Sequence, residues 1–170
     1  MLNGKIVEHW DVIQDEVPAE LTASGNPMWP VSTEDISRRD ADLEEANRRT
    51  VIDATNRLFS FSDTSVLAEF WNGDDYIQHN PELPNGVDGL AGFISSTQPG
   101  DIVYEIGLAV AYGDYVVLHS RNTWGLLDSN VAVDIFRLED GIIVEHWDVL
   151  QTEVPPTETV SGNRMFPPTN

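Results

Sequence analysis

The 170 residues give one domain's worth of chain, enough to bury a sizeable core but too few for two catalytic domains. Twenty-nine acidic residues against 9 basic ones leave a net charge of −20, a field that repels phosphate backbones and anionic lipid and so argues against nucleic acid and membrane surfaces as partners. Cysteine is absent, which excludes disulfides, thiolate metal sites and a cysteine nucleophile.

The chain starts Met1-Leu2-Asn3-Gly4-Lys5 without a basic region leading into an apolar run, and no stretch reaches the roughly 18 apolar residues of a membrane span, so a cytoplasmic location is expected. Residues 4–28 repeat residues 141–165 at a constant offset, with Ile6-Val7-Glu8-His9-Trp10-Asp11-Val12 recurring as Ile143 to Val149. Gln14, Glu16-Val17-Pro18, Thr22, Ser24-Gly25-Asn26 and Met28 recur as well. One strand and its tail are too little for a solenoid, which needs several stacked units. Residues 1–30 therefore read as a duplicated strand-plus-tail segment, with three competing origins: the remnant of another domain, an extra edge strand, or a segment exchanged between subunits. His9 lacks a preceding strand with an aspartate and reads as structural.

Ser32-Thr33-Glu34-Asp35 offers a helix start, and Val51, Ile52, Ala54, Leu58 and Phe59 recur at near-helical spacing, predicting a main helix over 41–60. A short helix follows at Thr64 to Trp71. Tyr76-Ile77-Gln78-His79 is extended and closes at Asn80-Pro81, and Pro84-Asn85-Gly86 turns into a helix over 87–97. Four strands then fall at 101–112, 114–125, 129–138 and 142–151, separated by Tyr112-Gly113-Asp114, Leu127-Asp128-Ser129 and Glu139-Asp140-Gly141. Helices followed by an antiparallel meander give an α+β class. Residues 31–151 form the domain and the Pro-rich residues 152–170 a wrapping tail.

Three motifs in this order, Tyr76-Ile77-Gln78-His79-Asn80-Pro81, Val133-Asp134-Ile135-Phe136-Arg137 and Gly141 through Glu145-His146-Trp147-Asp148, resemble the SnoaL-like polyketide cyclases of the NTF2-like superfamily. The resemblance implies a cone of helices packed on a curved antiparallel sheet around a small-molecule pocket, a homodimer, and Asp134 as the general base of a cyclase. The duplicated residues 1–29 depart from that pattern, and a homodimer with a swapped N-terminal strand is one way to use them. The fold also serves isomerases, dehydratases, epoxide hydrolases and binding modules.

Alternation along 129–138 puts Ala132, Asp134 and Phe136 on one face. A three-residue loop at Glu139-Asp140-Gly141 sets Asp134 across from His146; a two-residue turn at Asp140-Gly141 sets it across from Trp147. The first is preferred here. A carboxylate on a concave apolar face loses solvation and becomes a better proton acceptor, which suits carbon-acid chemistry. The competing reading is a buried Asp134–His146 pair that only holds strands in register.

His119 and Arg121 share a strand face and are candidates for stabilising a developing oxyanion, if that face is not turned to solvent. Tyr76 and His79 precede Pro81 in the loop that, by the SnoaL-like resemblance, lines the pocket mouth, with Phe136 and Trp147 as further candidate substrate contacts. The His residues sit on separate elements without metal-ligand spacing, so no metal and no cofactor is expected. The leading expectation is a cofactor-independent lyase or isomerase acting on a small carbonyl compound. The alternatives are a noncatalytic small-ligand-binding or dimerisation module, and an epoxide-hydrolase-like enzyme.

Overall fold

In a computed structural model, residues 2–29, 37, 40–125 and 128–167 are described. The helix-start signal at Ser32 to Asp35 and the turn residue Leu127 lie outside them. Helix α1 (Ala41–Thr55) starts instead at Asp40, whose carboxylate accepts the Asp42 N–H at 2.8 Å, a cap contributing about 1 kcal/mol. It continues as a π-helical turn over Asn56–Ser60, so together they fill the predicted 41–60. Its inner stripe, Asn47, Val51, Ala54, Thr55 and Leu58, has the three- and four-residue spacing of one helix face and is buried. Helix α2 (Val66–Phe70) is shorter than predicted, and α3 (Val87–Ser95) starts where the Gly86 turn directs it.

The sheet is five-stranded in the order β1-β5-β4-β3-β2, with β1 (Ile77–Gln78), β2 (Ile102–Tyr112), β3 (Tyr115–Trp124), β4 (Asn130–Glu139) and β5 (Ile142–Thr152). The four long strands form the predicted antiparallel meander, and the short β1 pairs parallel to β5. Helices cover one face of the curved sheet, with Leu58, Val66, Ile94, Val116, Leu118 and Ile143 in the core between them. Each such fully buried side chain contributes about 1.5–3 kcal/mol. Glu44 of α1 accepts the N–H of Gly113, tying the helix to the β2–β3 turn. Among the described residues no helix is long and apolar enough to cross a membrane.

The β4–β5 register differs from both alternatives in the sequence. Asp140 (φ 50) and Gly141 (φ 81) form a two-residue turn with Glu139 opposite Ile142. The pairing then shifts between Arg137 and Leu138, because Arg137 faces Glu145 and Leu138 faces Ile143, leaving Val144 as an extra residue. The bulge moves the partner of Asp134 on to Asp148, and His146 falls opposite Phe136.

At the end of the tail, Phe166 and Pro167 pack on the far side of the sheet. Phe166 is 2% exposed and lies against the bulge residue Gly107 of β2, where an added Cβ would come within 2.6 Å of Pro167 and 2.8 Å of Phe166. Gly107→Val should therefore displace the tail and lower stability by roughly 1–3 kcal/mol, read as a lower denaturant midpoint.

Candidate active site

Between the helices and the concave face lies a cavity of about 380 Å³. Its apolar walls include Phe59, Leu90, Phe93, Ile102, Trp124 and Phe136, and its polar wall Tyr76, Gln78, Asn80, Tyr104, Asn122, Asp134, His146 and Asp148. Strand alternation sorts the residues. Even-numbered positions of β3 and β4 point inward, and the Val144 bulge gives the same parity to β5, so His146 and Asp148 enter the cavity together with Asp134.

Gln78 organises this wall. Its Oε1 accepts the backbone N–H of His79 at 3.0 Å and of Asn80 at 2.9 Å, which fixes that atom as an acceptor. His146 Nδ1, 2.9 Å from the same oxygen, must then be the donor. The other ring nitrogen, Nε2, lies 3.4 Å from Asp134 Oδ1. Burial opposes the charged imidazolium, but the hydrogen bond to Asp134 and the charges of Asp148 and Asp134 outweigh it and raise the His146 pKa above 6.5.

Asp134 is well supplied with donors: Ser120 Oγ gives its proton to Oδ2 at 2.8 Å, and the Tyr104 hydroxyl approaches the same oxygen at 3.4 Å. Burial and the Asp134 charge push the Tyr104 hydroxyl well above its usual pKa, so it stays a donor. Burial likewise raises Tyr76, whose hydroxyl accepts a hydrogen bond from Gln78 Nε2 at 3.3 Å.

Asp148 is held differently. Oδ2 accepts from Asn80 Nδ2 at 2.8 Å, while Oδ1 is buried and has no partner among the described residues. Burial raises its pKa above 3.8, with the Asp134 charge adding to the rise and His146 opposing it. One oxygen of this carboxyl is thus left without a hydrogen bond among the described residues. In the sequence Asp148 closes the Gly141 to Asp148 motif with no role of its own; the signal for it is its place two residues after His146 on the same face.

Asp134, His146, Tyr76 and Phe136 line the cavity, while four other candidates do not. His119 and Arg121 are odd-numbered on β3 and point to the far face, away from the cavity, where His119 is buried and Arg121 is part-exposed. Phe166 of the tail packs edge-on against His119 at 5.5 Å and under the Arg121 guanidinium at 4.9 Å, and Glu105 pairs with Arg121 at 2.6 Å. Burial lowers the His119 pKa.

Trp147 also faces outward, stacked on His79 with ring centroids 4.7 Å apart. His79 itself bridges Glu145, at 2.9 Å, and the carbonyl of Pro27, which makes it a bolt between β5 and the N-terminal segment.

The sequence argued against a metal because its histidines are scattered, yet Asp134, His146 and Asp148 bring three donor atoms within 4.8 Å of one another. A cation there would have to replace the contact between His146 Nε2 and Asp134 Oδ1.

Asp148 gives this wall a testable stability signature. A folded pKa raised above the unfolded one means that stability is greatest below the unfolded value, about 3.9, and is lost as pH rises through the folded value. Asp148→Asn removes that loss and keeps the Asn80 hydrogen bond. Its thermal midpoint should exceed that of the wild type at neutral pH, with the advantage vanishing on acidification to about pH 4.

No protein-family profile matches the sequence, and no curated protein matches it. Solved structures do. An NTF-2-like protein of Burkholderia xenovorans superposes with a TM-score of 0.54 at 15% identity, over 65% of this chain and 87% of that one. A proposed polyketide cyclase of Bacillus cereus gives 0.53 at 19%, over 69% and 89%. A proposed ketosteroid isomerase of Kribbella flavida gives 0.52 at 19%, over 64% and 79%. The chain has the NTF2-like α+β fold that its SnoaL-like motifs imply.

Proposed function

We propose that the protein is a cofactor-independent lyase or isomerase that moves a proton on a small carbonyl compound. The observation that carries this reading is the buried Asp148 Oδ1, without a partner among the described residues, on a carboxylate that lines a largely apolar cavity. A carboxylate whose pKa is raised by burial is a stronger acceptor for a proton on carbon next to a carbonyl. Asp148 takes that proton. His146, kept charged by Asp134, supplies the positive field that favours the resulting enolate. The similarity to proposed cyclases and isomerases agrees with this chemistry without specifying it.

The SnoaL-like resemblance instead gives the base role to Asp134. Its hydrogen bonds from Ser120 and Tyr104 and its contact with His146 favour the part of an anchor that holds the imidazolium. For the expected homodimer, support comes from Val103, Leu108, Val110 and Tyr112, which leave an exposed apolar stripe along edge strand β2.

Proton exchange in deuterated water, followed by NMR over a panel of small ketones and β-keto esters, tests the proposal. The wild type should catalyse exchange α to the carbonyl, and Asp148→Asn should lower the rate by about 10²–10⁴-fold. Asp134→Asn should keep measurable exchange with an altered pH profile. The opposite ranking would return the base to Asp134. Ligand binding detected through Trp71 and Trp124, with no exchange in any compound, would make the protein a binding module.

A further inference from the structure

The tails of the repeated segments, residues 17–28 and 154–165, share conformation as well as sequence. Val17 N–H meets Met28 Sδ at 3.1 Å, and Val154 N–H meets Met165 Sδ at 3.2 Å. Thr22 Oγ1 donates to the carbonyls of Ala19 and Asn26, as Thr159 Oγ1 does to those of Pro156 and Asn163. The Asn26 and Asn163 N–H groups each bond the serine hydroxyl two residues earlier at 3.2 Å. Gly25 (φ 76) and Gly162 (φ 73) complete the same loop.

The two copies also touch reciprocally. Ile13 N–H donates to Gln151 Oε1 at 3.0 Å, and Leu150 N–H donates to Gln14 Oε1 at 2.8 Å. Residues 13 and 14 are the repeat equivalents of 150 and 151, so each copy does to the other what is done to it. That exchange is the signature of a two-fold, isologous contact between like segments.

We propose that the surface covered by residues 13–28 is a docking site for the C-terminal segment of a second copy of this domain, and that residues 4–28 fill it in cis. The site is specific: Asn26 Nδ2 donates to Gln78 O at 2.9 Å and to Asn85 Oδ1 at 2.8 Å, Ala23 N–H donates to Pro81 O, and Met28 is 2% exposed.

The exposed stretch of the first copy identifies the occupant. In β5 the sequence Ile143 to Val149 lies between β4 and β1, whereas Ile6 (79% exposed) and Val7 (63%) in the first copy have no strand beside them among the described residues. They present the apolar surface that the second domain's own sheet would cover. In the C-terminal copy Asn163 is exposed and its side-chain amide has no partner among the described residues, leaving it available to take the Asn26 position on another domain.

The contact reaches the cavity. Gln14 lines it, so in a docked pair the equivalent Gln151 of the second copy would border the first copy's site. In the wild type the tethered segment prevails over a free one, because joining on one chain sets an effective concentration on the order of millimolar.

The test uses the full chain and light scattering after gel filtration. Asn26→Ala with Met28→Asp should release the cis segment and double the mass relative to the wild type as concentration rises. Adding Gln151→Ala, at a half-buried position, and Asn163→Ala, at an exposed one, should return the mass to the wild-type value. A mass unchanged by the first pair overturns the proposal, as does association that the second pair leaves intact. Neither readout depends on catalysis, so the docking site and the proposed chemistry can fail separately.

Discussion

The register of β5 against β4 is the constraint on which the site depends. Side chains alternate with a period of two, so a one-residue slip sends every residue of β5 to the other face of the sheet. The type I′ turn at Asp140-Gly141 would by itself place Trp147 opposite Asp134 and bury the indole in the cavity. The extra residue Val144 restores the other parity. It puts His146 and Asp148 inside, with Glu145 and Trp147 outside, and so separates the titratable cavity wall from the packing of His79 on the far face. Parallel pairing of β1 then brings Gln78 beside His146, where its amide fixes the ring's donor and acceptor sides.

Much of this architecture is legible in the amino-acid pattern. Helical spacing from Val51 to Leu58, turn residues at Gly113 and Gly141, and apolar runs between them locate the main helix and the four long strands to within a residue or two. The bulge is not legible, because Val144 in an apolar run carries no mark distinguishing it from a paired residue. For that reason the neighbour of Asp134 could not be read from the turn. The outward direction of His119 was equally hidden, since polar residues on a strand face suit a pocket, open solvent or a tail packing over them. Here Phe166, some forty-five residues away, decides among these.

The repeat separates what sequence fixes locally from what context supplies. Its loop, built on Thr22, Ser24, Gly25 and Asn26, forms identically at Thr159 to Asn163, because its hydrogen bonds close within the segment. Its strand does not. Ile143 is fully buried where β4 and the helices enclose it, while the same residue type at Ile6 stands exposed. Strand formation draws its stabilisation from neighbours rather than from intrinsic preference, and without a partner strand the preference alone is too weak.

The energetics of the polar wall bear on whether it is structural or functional. A pair kept only to hold two strands together would use every buried oxygen, since leaving one unsatisfied costs about 1–3 kcal/mol. Asp134 meets that standard through Ser120, Tyr104 and His146. Asp148 does not: its Oδ1 is buried without a partner among the described residues, in a chain whose net charge of −20 already disfavours concentrating further negative charge. Asn at this position would keep the Asn80 contact and shed the ionised group, so packing alone offers no reason for an aspartate here. What an ionisable oxygen can do that an amide cannot is accept a proton and return it, which is what the proposed chemistry asks of Asp148.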